Sequence, residues 1–346
     1  GLLHLATSIK KFKRTYSDLI LIDAGDLLQG SPISFFNHRF FHQYNQNLFL
    51  EYFNTFSYDA VTVGNHDFIL NPEFEASYLK MSKFPWLAAN IVRHNKQIFT
   101  PYVVLSRNGL KVALIGFTTP GIPLWMGGTQ LNSATVEPLI SSARKWMGYL
   151  LKNEKPDVVI GIFHVGTNQF RNINEAKIKR IPKTDNLIEV LQNIEGFDIA
   201  ISGHDHRLHP FRSGDEVRYI HKTPVISAGY HGKSIQLLKI SLENRKNSWK
   251  LTNVHTTLAK ASQDKKLDSE YLKLLNSNYL DYIDQTLPWR INPVKKAQAE
   301  MCFNILNGLA NRTKISDGSL LPNIKISSLQ NRFRNQMKRS DLFRIV

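Results

Sequence analysis

The 346-residue chain has one cysteine, Cys302, so no disulfide framework within it holds the fold, and it gives no reading of the redox compartment. No run of 18 consecutive apolar residues occurs, which leaves no candidate for a membrane-spanning helix. The chain opens on Gly1 with neither an initiator Met nor a charged-then-apolar leader, and its start reads as cut. Acidic side chains are also scarce: 28 Asp and Glu stand against 44 Lys and Arg, for a formal charge of +16. That excess is dispersed, with 29 basic and 20 acidic residues in 1–255 and 15 and 8 in the remainder, and no block of five or six Lys/Arg appears. The expectation is a solvated basic surface whose field draws in anionic phosphates, with nucleic acid not the expected partner. What the chain has in quantity is core material: 42% apolar and 11% aromatic residues, enough for one large or two ordinary domains.

Four apolar runs end in Asp or His. They are residues 19–26 (LILIDAGD), 61–67 (VTVGNHD), 158–164 (VVIGIFH) and 199–206 (IAISGHDH). Short strands buried on both faces read as continuous Val/Ile/Leu runs, and ligands bind at their carboxyl ends. Four such ends side by side predict a crevice lined by Asp26, Asn65, His66, His164, His204 and His206. One carboxylate, one amide oxygen and several imidazoles form a mixed oxygen and nitrogen set, suited to Mn, Fe, Zn or Co rather than Mg alone. His204 and His206 are alternate residues of an extended segment, so they share a face and can grip one site. Taken singly, each motif has a plainer reading: Gly-Asp after a strand is commonly a turn, and a lone His commonly a core residue.

In this order, Gly25-Asp26, Gly64-Asn65-His66-Asp67, His164 and Gly203-His204-Asp205-His206 resemble the calcineurin-like metallophosphoesterase superfamily. Residues 23–32 (DAGDLLQGSP), 87–90 (LAAN), 115–120 (IGFTTP) and 228–232 (AGYHG) are similar to its 5′-nucleotidase family. The loop 118–125 and Arg144-Lys145-Trp146 most resemble the branch of 2′,3′-cyclic-nucleotide 2′-phosphodiesterase/3′-nucleotidases. The resemblance implies an α/β fold, a four-layer αββα sandwich with two mixed sheets. It also implies hydrolysis of nucleotides or 2′,3′-cyclic nucleotides by in-line attack of a metal-bound hydroxide between two divalent ions. By the same resemblance Asp26 bridges the ions; Asn65, His164 and His204 complete the second site; and His206 serves the first. His66 assists the leaving group, with Asp67 as a candidate to orient it or, alternatively, to bond backbone. Family habit implies a periplasmic or extracellular location.

This chain departs from the family pattern in two places. The family's Asp-x-His strand, which precedes the first helix, is not found, so the first metal site is expected to be incomplete and His4 is read as an ordinary helix residue. An acid three positions beyond the catalytic histidine is replaced by Ile69. An inactive phosphate-binding chain therefore stands as the alternative function.

The domain reading is 1–245 for the metallophosphatase domain, 246–295 for a linker and helix, and 296–346 for the start of a truncated C-terminal nucleotidase domain. Within it, spacing predicts helices over 2–16, 72–83, 137–152 (capped near Ser133 or Thr135), 185–194, 267–287 and 297–306. Strands are predicted at 86–90, 320–326 and in a hairpin over 102–117 turned by Asn108-Gly109. A second sheet is expected from 217–221, 225–228 and 235–240. The aromatic residues of 31–56 are read as core at helical spacing, and His38, His42, His209, His221 and His231 as surface or structural, with reach into the crevice as the alternative for His231.

Overall fold

A computed structural model of the protein describes residues 2–28, 48–69, 78–125, 133–167, 186–210, 212–245 and 248–260. The chain divides into two compact units. The first comprises Gly1–Gln29, Leu50–Ser262 and Ile345–Val346 and carries nearly everything described below. Of the second, Gly30–Phe49 with Gln263–Arg344, only the start of one helix falls among the described residues. The predicted helices over 267–287 and 297–306, the strand over 320–326, Cys302, His38, His42 and most of the loop 167–184 lie outside them.

Helix α1 (Leu2–Thr15) buries Leu5, Ala6 and Ile9, at the three-to-four spacing that predicted it, and ends in Lys13 and Arg14, where a helix favours positive charge. Strand β1 (Ile22–Asp23) follows, then helix α2 (Leu48–Asn54), β2 (Ala60–Thr62), the five-residue helix α3 (Asn65–Ile69) and the short helix α4 (Leu79–Met81). Of the helix predicted over 72–83, only this last part is described. β3 (Trp86–Leu87) joins β1 and β2 in a parallel sheet, with Ile22 beside Ala60 and Val61 beside Trp86. β4 (Ile91–Arg93), β5 (Lys96–Gln97) and, later, β8 (Ala134–Val136) form a small antiparallel sheet.

β6 (Tyr102–Arg107) and β7 (Leu110–Thr118) form the expected hairpin. Asn108 and Gly109 turn it with φ of 50° and 77°, the pair of positive angles that a tight two-residue hairpin requires. After α5 (Ile122–Trp125), helix α6 (Leu139–Tyr149) continues through a widened turn to Glu154 and stops at left-handed Lys155, just before Pro156. Its start differs from the prediction. Thr135 lies in β8 opposite Val92, and the helix begins after Pro138 with no side-chain cap; the Pro138 carbonyl accepts from Ser141 and Ser142 instead.

β9 (Val158–His164), α7 (Leu187–Asn193, capped by the Asn186 side chain), β10 (Ile199–Ser202), β11 (Leu208–His209), β12 (Arg218–Ile220) and β13 (Thr223–Ala228) complete the main sheet. Its order is β11-β13-β10-β9-β7-β6, with β12 pairing outside β13. The segments 217–221 and 225–228, expected in a second sheet, therefore extend the sheet that holds β9 and β10. Ala200 and Ile201 run parallel to Val225 and Ile226, and this long-range register leaves no trace in local spacing.

Residues 246–295, read as linker and helix, contain a strand at their start: β15 (Ser248–Lys260) pairs antiparallel along β14 (Ser234–Arg245). Its Lys, Asn and Thr residues occupy a partly exposed ribbon that, among the described side chains, buries only Val254 and Thr256, so a strand reads as polar sequence.

Strand alternation sorts the core into two layers. Val112 and Leu114 of β7, and Val158, Ile160 and Ile162 of β9, face Ala60, Leu87 and Val254; partly buried Ile22 of β1 packs against them. The alternate residues Ala113, Ile115, Phe117, Val159 and Phe163 face Met147 and Leu150 from the α6 side and Leu187 and Leu191 of α7. Each fully buried Val, Leu, Ile, Phe or Met among them contributes on the order of 1.5–3 kcal/mol. The result is a mixed α/β architecture in which β1, β2, β9 and β10 all end at one edge. Among the described residues no helix is long and apolar enough to cross a membrane.

Candidate metal centre

Two turns carry the first groups. After β1 the chain passes through Gly25 (φ 94°) and Asp26 (φ 62°), and Asp26 comes out buried. A Cβ at Gly25 would lie 2.8 Å from His164 Nδ1, 2.8 Å from Gly64 N and 2.8 Å from Thr62 O, so only glycine lets this turn nest against β2 and the imidazole. After β2, Asn65 opens α3 instead of lying in a simple turn, and the His66 N–H donates to Asp26 Oδ1 at 2.8 Å.

His164, the last residue of β9, is wholly buried. Its Nδ1 lies 2.7 Å from the Ala24 carbonyl, which can only accept, so Nδ1 carries the proton. In the neutral ring the lone pair then sits on Nε2, which faces Asp26 Oδ2 at 3.2 Å and Asn65 Oδ1 at 3.1 Å. Three electron-pair donors thus point at one another, an arrangement that a shared cation, or a proton, resolves. The backbone carbonyl that fixes the ring is the kind of partner that orients metal-bound histidines.

His204 joins from the end of β10: ligand atoms of Asp26, His164 and His204 lie within 4.8 Å of one another, and the His164 and His204 rings are 5.0 Å apart between centroids. β10 is held in place by Gly203 N–H donating to Phe163 O (2.8 Å) and Ser202 Oγ donating to Val165 O (3.0 Å). Asp205 accepts from the Thr167 N–H and hydroxyl, each at 2.9 Å, tying the two strand-end loops together.

The electrostatics follow from crowding acids and imidazoles out of water. Burial alone would raise the Asp26 carboxyl, but His164, His66 and His204 beside it hold it well below the usual carboxylate range. Burial pulls the His164 imidazole down, yet the Asp26 charge and hydrogen bond carry it up to about 9. Asp67 is pushed up to about 7 by burial and by the Asp26 charge, against the backbone N–H groups that favour its ionised form.

Of the residues singled out in the sequence, Asp26, Asn65, His164 and His204 converge. His206 stands outside that trio of ligand atoms, its ring stacked on Tyr230 at 5.3 Å and 25°. His66 is half-buried beside Asp26. Asp67 is fully buried, and both its oxygens take main-chain N–H groups: Oδ2 from Asp26 (2.7 Å) and Gly64 (2.9 Å), Oδ1 from Leu28 (2.8 Å). Of its two sequence readings, backbone bonding is the one seen. His231 is buried against Tyr230, while His209 accepts the Arg218 N–H and is structural.

Sequence reasoning missed the Ala24 carbonyl, which has no side-chain signature, and the Tyr230 platform, whose only sign was the 228–232 motif. It also missed the Asn90 amide, which donates to Thr118 O (2.8 Å) and accepts from Thr118 N–H (2.9 Å), steadying the residue paired beside His164.

The profile of the calcineurin-like phosphoesterase family matches residues 2–208. The 2′,3′-cyclic-nucleotide 2′-phosphodiesterase/3′-nucleotidase of Haemophilus influenzae is 25% identical over 272 residues, 73% of this chain and 40% of that protein. A 5′-nucleotidase of Vibrio cholerae is 35% identical over 119 residues, 32% of this chain and 21% of its own. The chain thus spans less than half the length of these curated relatives. Among solved structures, the calcineurin-like phosphoesterase YfkN from Bacillus subtilis superposes with a TM-score of 0.68 at 24% identity, covering 82% of this chain and 90% of that one, a likeness of fold. The family match spans every strand that delivers a group to the cluster, and the chain belongs to the calcineurin-like phosphoesterases.

Proposed function

We propose that the protein is a metal-dependent phosphoester hydrolase acting on nucleotides or 2′,3′-cyclic nucleotides. The observation that carries this reading is the convergence of ligand atoms of Asp26, His164 and His204 within 4.8 Å of one another, with Asn65 Oδ1 3.1 Å from His164 Nε2. Asp26, Asn65, His164 and His204 would hold one divalent cation. By resemblance to the family, His206 would serve a second. Mixed oxygen and imidazole donors suit Mn, Zn, Fe or Co. Such a cation supplies Lewis acidity, neutralising charge on a phosphoryl oxygen and acidifying water.

The chain's own residues do the rest. Asp26, with one oxygen engaged by the His66 N–H, presents the other toward the cluster. His66, held by its backbone beside Asp26, delivers a proton to the departing alkoxide oxygen. The overall charge of +16 assists the arrival of anionic substrates. The names of the relatives support nucleotide phosphoesters as the substrate class.

The test is to strip the full chain with EDTA, reload it with Mn²⁺, and assay 2′,3′-cyclic AMP, 3′-AMP, 5′-AMP and an aryl phosphate. Turnover should require Mn²⁺. It should fall by roughly 10²–10⁴ in His66→Ala with Mn²⁺ still bound, the usual contribution of a proton-transfer group. Protein that binds Mn²⁺ yet turns over none of these substrates would refute the assignment.

A further inference from the structure

Asp26 adopts a backbone conformation, φ 62°, that a side-chain-bearing residue holds only when its surroundings over-determine it. Here the surroundings are main-chain hydrogen bonds made by two buried carboxylates. The Asp67 carboxylate takes the N–H of Asp26 itself, the N–H of Leu28 two residues on, and the N–H of Gly64 from the facing turn. In return the Asp26 carboxylate takes the N–H of His66, next to Asp67 in sequence. The two turns are thus clasped reciprocally, each acid gripping the other's main chain, with both carboxylates buried.

We infer that Asp67 is a positioning residue: through main-chain hydrogen bonds it holds the turn at Asp26 in its left-handed form and so sets where Asp26 Oδ2 points. The inference rests on the metal-centre reading above. A carboxylate suits this role better than an amide, because both its oxygens accept and three N–H groups arrive from two directions. An Asn keeps one acceptor and turns an NH₂ toward an N–H donor. The effect then reaches the centre through the geometry of Asp26, with no contact between Asp67 and substrate required.

The experiment compares Asp67→Asn with Asp198→Asn, each on the full chain. Asp198 also accepts a main-chain N–H, that of Val159 at 2.8 Å, but at the start of β9, the opposite end from His164, so it reports a purely structural loss. In metal-free protein, hydrogen exchange of the peptides covering 24–28 and 61–66 should accelerate in Asp67→Asn and not in Asp198→Asn. Mn²⁺ affinity should weaken 10–100-fold in the first and stay within twofold in the second. Turnover of Asp67→Asn should return toward wild type at saturating Mn²⁺, as expected of a group that acts through a ligand.

Unchanged exchange, unchanged Mn²⁺ affinity, or turnover still down a hundredfold at saturation would each overturn the inference. A wild-type chain that takes up no Mn²⁺ would overturn the metal-centre reading and the positioning role together. The exchange result, read without metal, still decides whether the clasp itself exists.

Discussion

Gly64 offers the sharpest test of how tightly the centre is built. It stands between β2 and Asn65, with the Asp26 turn directly against it. A Cβ placed there falls well inside van der Waals contact with Asp26 N and Asp26 Oδ1, and 2.9 Å from Asp26 Cγ. None of these atoms is the free end of a flexible side chain, so the turn or the strand end has to move. Overpacking of this kind costs about 1–3 kcal/mol. For a folded unit of this size that lowers the melting temperature by roughly 2–4 °C per kcal/mol. Because the displaced atoms are those of Asp26, Mn²⁺ affinity should drop at least about tenfold as well. Gly148 supplies the control: it is exposed in α6, an added Cβ meets nothing within 4 Å, and Gly148→Ala should stabilise by roughly 0.5–1 kcal/mol through helix propensity. The assay is thermal denaturation of both variants with and without Mn²⁺, alongside direct Mn²⁺ titration. Gly64→Ala that melts within about 1 °C of wild type and binds Mn²⁺ equally well would refute the packing argument.

Replacing Asn90 by Ala orphans the Thr118 N–H and C=O in a fully buried setting, at roughly 1–3 kcal/mol for each group, and urea denaturation should show the loss. His209 should make stability sensitive to acid. Burial and the nearby Arg218 depress its pKa below the ordinary value, and its Nε2 accepts the Arg218 N–H, so the fold favours the neutral ring. That contribution is complete above the unfolded-state pKa of about 6.5 and is lost as pH falls through the lower folded-state value. The melting temperature of His209→Phe, followed from pH 7 to pH 4.5, should therefore decline less steeply than wild type; parallel curves would dismiss the idea.

The parts of this molecule legible in its sequence are those where local pattern and long-range packing agree. β9 is apolar up to its last residue because both its faces are covered, and it reads as a strand that delivers His164. Asn108-Gly109 reads as a tight turn because few residues accept two positive φ angles in succession. Asp26, Asn65, His164 and His204 could be gathered on paper since each closes such a run. What stayed hidden was held by main-chain chemistry or by register. Asp67 works on three N–H groups whose side chains carry no message, and Ala24 contributes only a carbonyl. Thr252, Thr256 and Thr257 sit in a β-ribbon with one wet face, so β15 looked like linker. The placement of β12 and β13 in the main sheet depends on which neighbour β10 chooses, and local spacing does not encode that choice.

Asp26, His204, His206 and His231 all adopt left-handed backbone, with φ of 62°, 75°, 56° and 64°. Each such residue costs the fold on the order of 1–2 kcal/mol, a burden that glycine would relieve. Laboratory evolution that rewarded heat tolerance alone would thus be drawn toward glycine at these four positions. It would yield sturdier proteins stripped of the carboxylate and imidazoles that distinguish this chain.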